Sequence, residues 1–166
     1  MDSNGTEIFC KHCGKRWTLC EDGSLSALDG NDIFTTVPDW FRWERIEVEN
    51  QINTGKFIYE DEVDVYSFPR CYSFVKLGKG NITLDSNDGF VLKGHHNNSD
   101  YCVNRKPLQI NSLHVEYEYF RIKRADCFVL NTENDSFFCF PKQENIITKL
   151  AFATEIIHQN ASKNKR

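Results

Sequence analysis

The chain has 166 residues, 40% of them hydrophobic and 13% aromatic. That is enough for one ordinary domain with a real core and a small appendage. A net charge of -4 sets up no global field for nucleic acid. No apolar run is long enough to span a bilayer, and residues 1–6 lack the apolar stretch of a signal peptide. Seven scattered cysteines, an odd number, do not read as an oxidised secreted framework, so a reducing cytoplasm is expected.

Residues 1–35 carry the densest local signal. Cys10-Lys11-His12-Cys13-Gly14-Lys15-Arg16-Trp17 has the form of one zinc-ribbon knuckle. Such a turn points two thiolates at one metal, and Gly14 suits the left-handed position after the second Cys. Structural zinc takes four ligands, usually as two such pairs. Cys10 and Cys13 are therefore the metal candidates, and zinc is a candidate cofactor whose site is incomplete within this chain. Cys20 is the candidate third ligand, at an unusual spacing. The hairpin signal Asp22-Gly23 comes next, flanked by Trp17, Leu19, Leu25 and Leu28.

Residues 36–55 read as a linker helix. Thr36 is the cap, Pro38 lies in the first turn and Gly55 stands at C′. Trp40, Phe41, Trp43, Ile46, Val48 and Ile52 are assigned to its core-facing side. Residues 57–140 read as consecutive antiparallel strands. Strand 57–66 holds the acidic run Glu60, Asp61, Glu62 and Asp64, read as an exposed edge kept from pairing by charge. Gly78-Lys79-Gly80 and Asn87-Asp88-Gly89 read as turns, and 94–100 as a polar loop. The longest strand is placed at 108–122, and Cys127 and Cys139 are read as small buried hydrophobes. A final helix spans about 144–159, with Ile146, Ile147, Leu150, Ala153, Thr154 and Ile157 inward. The expected fold class is α+β, mainly β. A bent sheet or barrel of about seven strands is capped by the C-terminal helix, behind a half zinc-ribbon hairpin and the linker helix.

Residues 56–166 in this order resemble the pleckstrin-homology-like family, including its GRAM branch. Lys76-Leu77-Gly78-Lys79-Gly80-Asn81-Ile82-Thr83-Leu84 with Asp88-Gly89-Phe90-Val91-Leu92 is similar to its first meander. A second resemblance spans nearly the whole chain. Pro38-Asp39-Trp40-Phe41-Arg42-Trp43-Glu44-Arg45, Phe74-Val75-Lys76-Leu77-Gly78-Lys79-Gly80, His114-Val115-Glu116-Tyr117-Glu118-Tyr119 and Asp126-Cys127-Phe128-Val129-Leu130-Asn131-Thr132 carry it. They resemble the C-terminal tail of Firmicutes proteins of the 1-acyl-glycerol-3-phosphate acyltransferase group. There an acyltransferase domain precedes a zinc ribbon and a tail like this one. The resemblance implies an accessory module of phospholipid synthesis, with the other Cys pair upstream of Met1.

The function expected is a non-catalytic docking domain for a membrane surface, a lipid headgroup or a protein partner. Nucleic acid is not an expected partner, and the setting is cytoplasmic, with peripheral attachment at the inner membrane face. Lys76 and Lys79, placed on the first sheet turn, are the anion-binding candidates, since such basic residues hold headgroups in lipid-binding members of that class. Two alternatives stand beside this reading. His95 and Asp100 have the H-x-x-x-x-D spacing of glycerolipid acyltransferases, in which Asp orients a His base, so a small acyltransferase is one. A zinc-ribbon interaction module is the other. Glu116 and Glu118 share a predicted strand face as a carboxylate pair, and Arg121, Lys123 and Arg124 form a small basic cluster at a hairpin end.

Overall fold

The computed structural model describes residues 2–10, 14–30 and 33–165. The chain divides into two compact units, 1–47 and 48–166, with the boundary inside a helix. The described residues form an α+β fold, mainly β, with two antiparallel sheets and two α-helices.

The first unit is a meander of short strands, β1 (Asp2–Asn4), β2 (Glu7–Phe9), β3 (Arg16–Leu19) and β4 (Leu25–Ala27), in the order β1-β2-β3-β4. The Asp22-Gly23 turn joins β3 to β4 as its sequence demands. The Asp22 carboxylate accepts from the Ser24 N–H (3.0 Å) and hydroxyl (2.7 Å), and Gly23 takes φ 82°. Trp17, Leu25, Ala27 and Phe34 are its buried centre. Trp40 stacks on Trp17 and on Phe34, each at 6.5 Å between ring centroids.

Helix α1 (Val37–Asn53) begins at a reciprocal cap. The Thr36 hydroxyl accepts from the Asp39 N–H at 3.2 Å and donates to the Asp39 carboxylate at 2.8 Å. It ends in a Schellman motif: Lys56 N–H reaches the Gln51 carbonyl (2.9 Å), Gly55 N–H reaches that of Ile52 (3.0 Å), and Gly55 has φ 68°. The expected apolar face is only partly buried. Val48 and Ile52 are inside, whereas Phe41 (52%), Trp43 (42%) and Ile46 (53%) are exposed.

The second unit is a seven-stranded antiparallel sheet with one helix. Its strands are β5 (Tyr59–Ser67), β6 (Val75–Asp85), β7 (Gly89–His96), β8 (Ser99–Arg105), β9 (His114–Glu116), β10 (Cys127–Asn131) and β11 (Ser136–Pro141). Their order is β8-β7-β6-β5-β11-β10-β9. Two meanders thus meet where the last strand returns to pair with the first. Helix α2 (Ile147–Lys163) places Ile147, Leu150, Ala153, Thr154, Ile156 and Ile157 against the sheet's inner side chains, among them Val63, Val65, Leu92 and Phe128. His158 Nδ1 donates to the Pro107 carbonyl at 2.9 Å and ties the helix to the 107–109 turn. No helix among the described residues is long and apolar enough to cross a membrane.

Four readings of the strands need correction. Gly78-Lys79-Gly80 is not a turn, because β6 runs unbroken through it. The pairing shifts from Val65↔Gly78 to Tyr66↔Lys76, so Leu77 is the extra residue of a bulge, and Gly78 at φ 97° absorbs it. The segment 108–122 is not one strand. Pro107–Gln109 is a 3-10 turn, β9 has three residues, and Glu118 at φ 46° interrupts the extended backbone. The 94–100 loop is instead a two-residue hairpin, with Asn97 (φ 47°) and Asn98 (φ 62°) both left-handed, as a type I′ turn requires. The acidic strand β5 is not an edge, since it pairs β6 on one side and β11 on the other.

Two glycines with similar φ meet different surroundings. A Cβ at Gly55 meets nothing within 4 Å, whereas one at Gly89 (φ 70°) falls 2.2 Å from the Arg105 carbonyl oxygen. Gly55→Ala is expected to cost about 1 kcal/mol of unfolding free energy, and Gly89→Ala about 3 kcal/mol or more. Urea unfolding of the two variants measures the difference.

Candidate functional site

The knuckle candidates are only partly described. Cys10 directly follows β2, its N–H bonds the Lys15 carbonyl (2.8 Å), and the Gly14 N–H bonds the Cys10 carbonyl (2.8 Å) with φ 72° at Gly14. Cys13 lies outside the described residues. Cys20 is no neighbour of Cys10. It lies just after β3 at the opposite end, where Leu19 N–H bonds the Thr6 carbonyl, and the three residues of β2 lie between Thr6 and Cys10, about 13 Å of extended chain. Among the described residues no three His, Cys, Asp or Glu side chains gather as a metal set. The described residues do not complete a metal shell, so no chemistry is derived through zinc.

Lys79 and Lys76 both lie on the outward side of β6, not on a turn. Lys79 is held at 2.9 Å from Glu62, which also takes Lys142 at 2.5 Å. The hydrogen bonds from Lys142 and Lys79 hold the Glu62 carboxyl below the usual glutamate range. Lys76, exposed, has no ion pair among the described residues. The expected pair of cationic ligands therefore separates: one lysine is engaged by the sheet's own acids, and one is open.

His95 and Asp100 are directly opposed on β7 and β8, with Nδ1 and Oδ1 2.8 Å apart. A His oriented by a carboxylate is the arrangement a general base requires. The spacing has a plain structural origin, because a two-residue hairpin places residues five apart face to face. Both side chains are open to water, at 61% and 92% exposure. A shallow, open depression of about 530 Å³ beside them is lined by Lys79, Asn81, Lys93, Tyr101 and Cys102. Glu116 and Glu118 do not act as a pair. Glu116 sits 3.0 Å from His114, while Glu118 lies beyond the strand and binds Arg124 at 3.1 Å.

Lysines neutralise Glu62 and Asp64 of the acidic run on β5, and Asp61 is held by hydrogen bonds. Asp61 accepts from the N–H groups of Lys142 and Gln143, both at 3.0 Å. Asp64 binds Lys123 at 2.6 Å, and that ammonium lies 4.9 Å above the Phe140 ring.

A second apolar surface has no counterpart in the sequence pattern. On the outer side of β10 and β11 a cluster forms from Cys127, Val129, Phe138 and Phe140. Tyr66, Phe68, Phe74 and Tyr119 pack onto it from β5 and from the loops 68–74 and 117–126. Beyond it, Tyr72 (84%) and Phe120 (81%) stand in solvent. Arg121 and Arg124 are exposed on the same loop as Phe120, and Arg70 on the loop of Tyr72. With 108–122 read as a strand, Phe120 counts as a sheet residue and not as a loop tip. Its sequence neighbours Arg121, Lys123 and Arg124 are the available signal.

The cysteines report this geometry. Burial pushes the Cys127 thiol up to about 12 and raises Cys139 also, while Cys102 is exposed. A thiol reagent at mildly alkaline pH is expected to label Cys102 in the folded protein, and Cys127 and Cys139 only after denaturation. Peptide mass mapping separates them. Glu62 gives a second test. Its lowered pKa contributes stability present above the ordinary value of about 4.5 and lost as the pH falls through the folded value. Glu62→Gln is therefore expected to be less stable than the parent at neutral pH and to converge with it in acid, read by thermal unfolding across pH. Comparison with family models, curated proteins and solved structures found no match to this chain.

Proposed function

We propose that the chain is a non-catalytic docking domain, an accessory module of an acyltransferase-like protein of phospholipid synthesis. It attaches peripherally at the cytoplasmic face of the membrane. The observation that carries this reading is where exposed aromatic and cationic residues gather. Tyr72 and Phe120 are the most exposed large apolar side chains among the described residues, and cations accompany both. Exposed aromatic side chains accompanied by cations suit attachment at a membrane interface. The order of the large sheet supports a pleckstrin-homology-like identity: a four-stranded meander, a three-stranded meander returning to the first strand, then a helix.

The His95–Asp100 pair, at 2.8 Å, favours a second reading, a small acyltransferase. Against it stand the open setting of the pair and the solvated sheet face it sits on. An assay with an acyl thioester donor and a 1-acyl-glycerol-3-phosphate acceptor decides between them. The full chain is expected to show no transfer above background. Transfer that disappears in His95→Ala replaces the docking reading with the enzymatic one.

A further inference from the structure

We infer that the loops 68–74 and 117–126 form a single foot that seats on an anionic lipid bilayer, with Phe120 and Tyr72 entering the headgroup region and Arg70, Lys76 and Arg121 meeting lipid phosphates. The inference rests on the docking reading above and names its surface.

The two loops are held as one body. The Phe74 ring lies 4.4 Å from Phe68, 5.2 Å from Phe138 and 6.3 Å from Tyr119, and Tyr119 lies 5.3 Å from Phe138. Lys123 anchors the second loop to β5 through Asp64. The rings beneath the surface thus fix the loops and leave Phe120 and Tyr72 outside. A Phe side chain kept in water forgoes the favourable transfer of its ring out of water. Aromatic residues with neighbouring cations are what the membrane interface selects.

The charges decide between a neutral and an anionic surface. Among the described residues Arg70, Lys76 and Arg121 have no ion pair, whereas Arg124 is held by Glu118 and Lys123 by Asp64. The nearby carboxylates are mostly engaged. Asp135 accepts from the Ser67 hydroxyl (2.6 Å) and the Phe68 N–H (2.9 Å), and Asp126 from the Glu118 N–H (2.9 Å). Glu133, exposed on the adjoining turn, subtracts one charge. Neutral donors leave Asp126 and Asp135 charged, but both are half-buried, whereas Arg70, Lys76 and Arg121 are exposed on the loops and strand end beside the two rings, on a chain of net charge -4. An anionic bilayer attracts this face and repels the remainder, so charge orients the molecule.

The test uses the full chain with phosphatidylcholine vesicles, with and without phosphatidylglycerol, in co-sedimentation. Binding is expected only with the anionic lipid and is expected to weaken as salt rises. The double variant Phe120→Ser with Tyr72→Ser is expected to lower partitioning about tenfold or more, and Arg121→Gln about fivefold. Both side chains of the double variant are solvent-exposed, and unchanged urea unfolding verifies that it is folded. His95→Ala is expected to bind as the parent does. Parent-like binding by the folded double variant overturns the foot while leaving membrane docking intact. Failure of the parent to bind either vesicle overturns both. Full competition by soluble glycerol 3-phosphate also overturns the foot, because it assigns the affinity to a headgroup site and not to a bilayer surface.

Discussion

A strand carrying four acids runs down the middle of the large sheet, and the rest of the second unit is arranged around making that tolerable. β5 pairs β6 on one side and β11 on the other, with Val63 and Val65 fully buried between them. Its remaining face would present an uncompensated line of carboxylates. Cations from three different segments answer it: Lys79 from β6, Lys142 from just beyond β11, and Lys123 from the 117–126 loop. Asp61 is settled differently, by backbone N–H groups at the approach to α2. Each exposed pair contributes little by itself. Together they join β5 to β6, to the segment after β11 and to the 117–126 loop.

The same arrangement divides the sheet's outer surface. Over β6, β7 and β8 it is open and mixed in charge, with Asn81, Lys93, His95, Asp100 and Cys102 facing water. Over β10 and β11 it is apolar and must be covered, so two irregular loops fold across it with Phe68, Phe74 and Tyr119. The sheet is therefore buried on both sides at one end and on one side at the other. That asymmetry places the loops, and through them the exposed rings.

Much of the fold is legible because local signals and tertiary packing agree. Thr36 and Gly55 mark the ends of α1 through hydrogen bonds set by neighbours in sequence. The 3.6-residue spacing of Ile147, Leu150, Ala153, Thr154 and Ile157 matches the buried side of α2. The misread elements depend on partners distant in sequence. Gly78 is a bulge and not a turn only because β5 continues opposite it. An acidic strand looks like an edge until lysines 17 and 80 residues after Glu62 are brought to it. The alternation at 113–119 breaks because the Tyr119 ring is taken by Phe138 across the sheet's outer surface. At the candidate sites the spacing of His95 and Asp100 does report proximity, but proximity made by a hairpin. The solvent position of Phe120 comes from a loop whose path no local pattern specifies.

Cys127 and Cys139 lie on neighbouring strands, and Phe128 is the direct partner of Cys139. The pleat sends them to opposite sides, Cys139 into the core beneath α2 and Cys127 into the outer aromatic layer. The sheet itself is the barrier between the two sulfurs. While it stands, oxidants have no route to join them. Once it opens, the same two thiols are only twelve residues apart on a loose chain, and a crosslink formed there would forbid the pairing of β10 with β11. Redox conditions thus bear on whether this domain is reached, and hardly at all on whether it lasts.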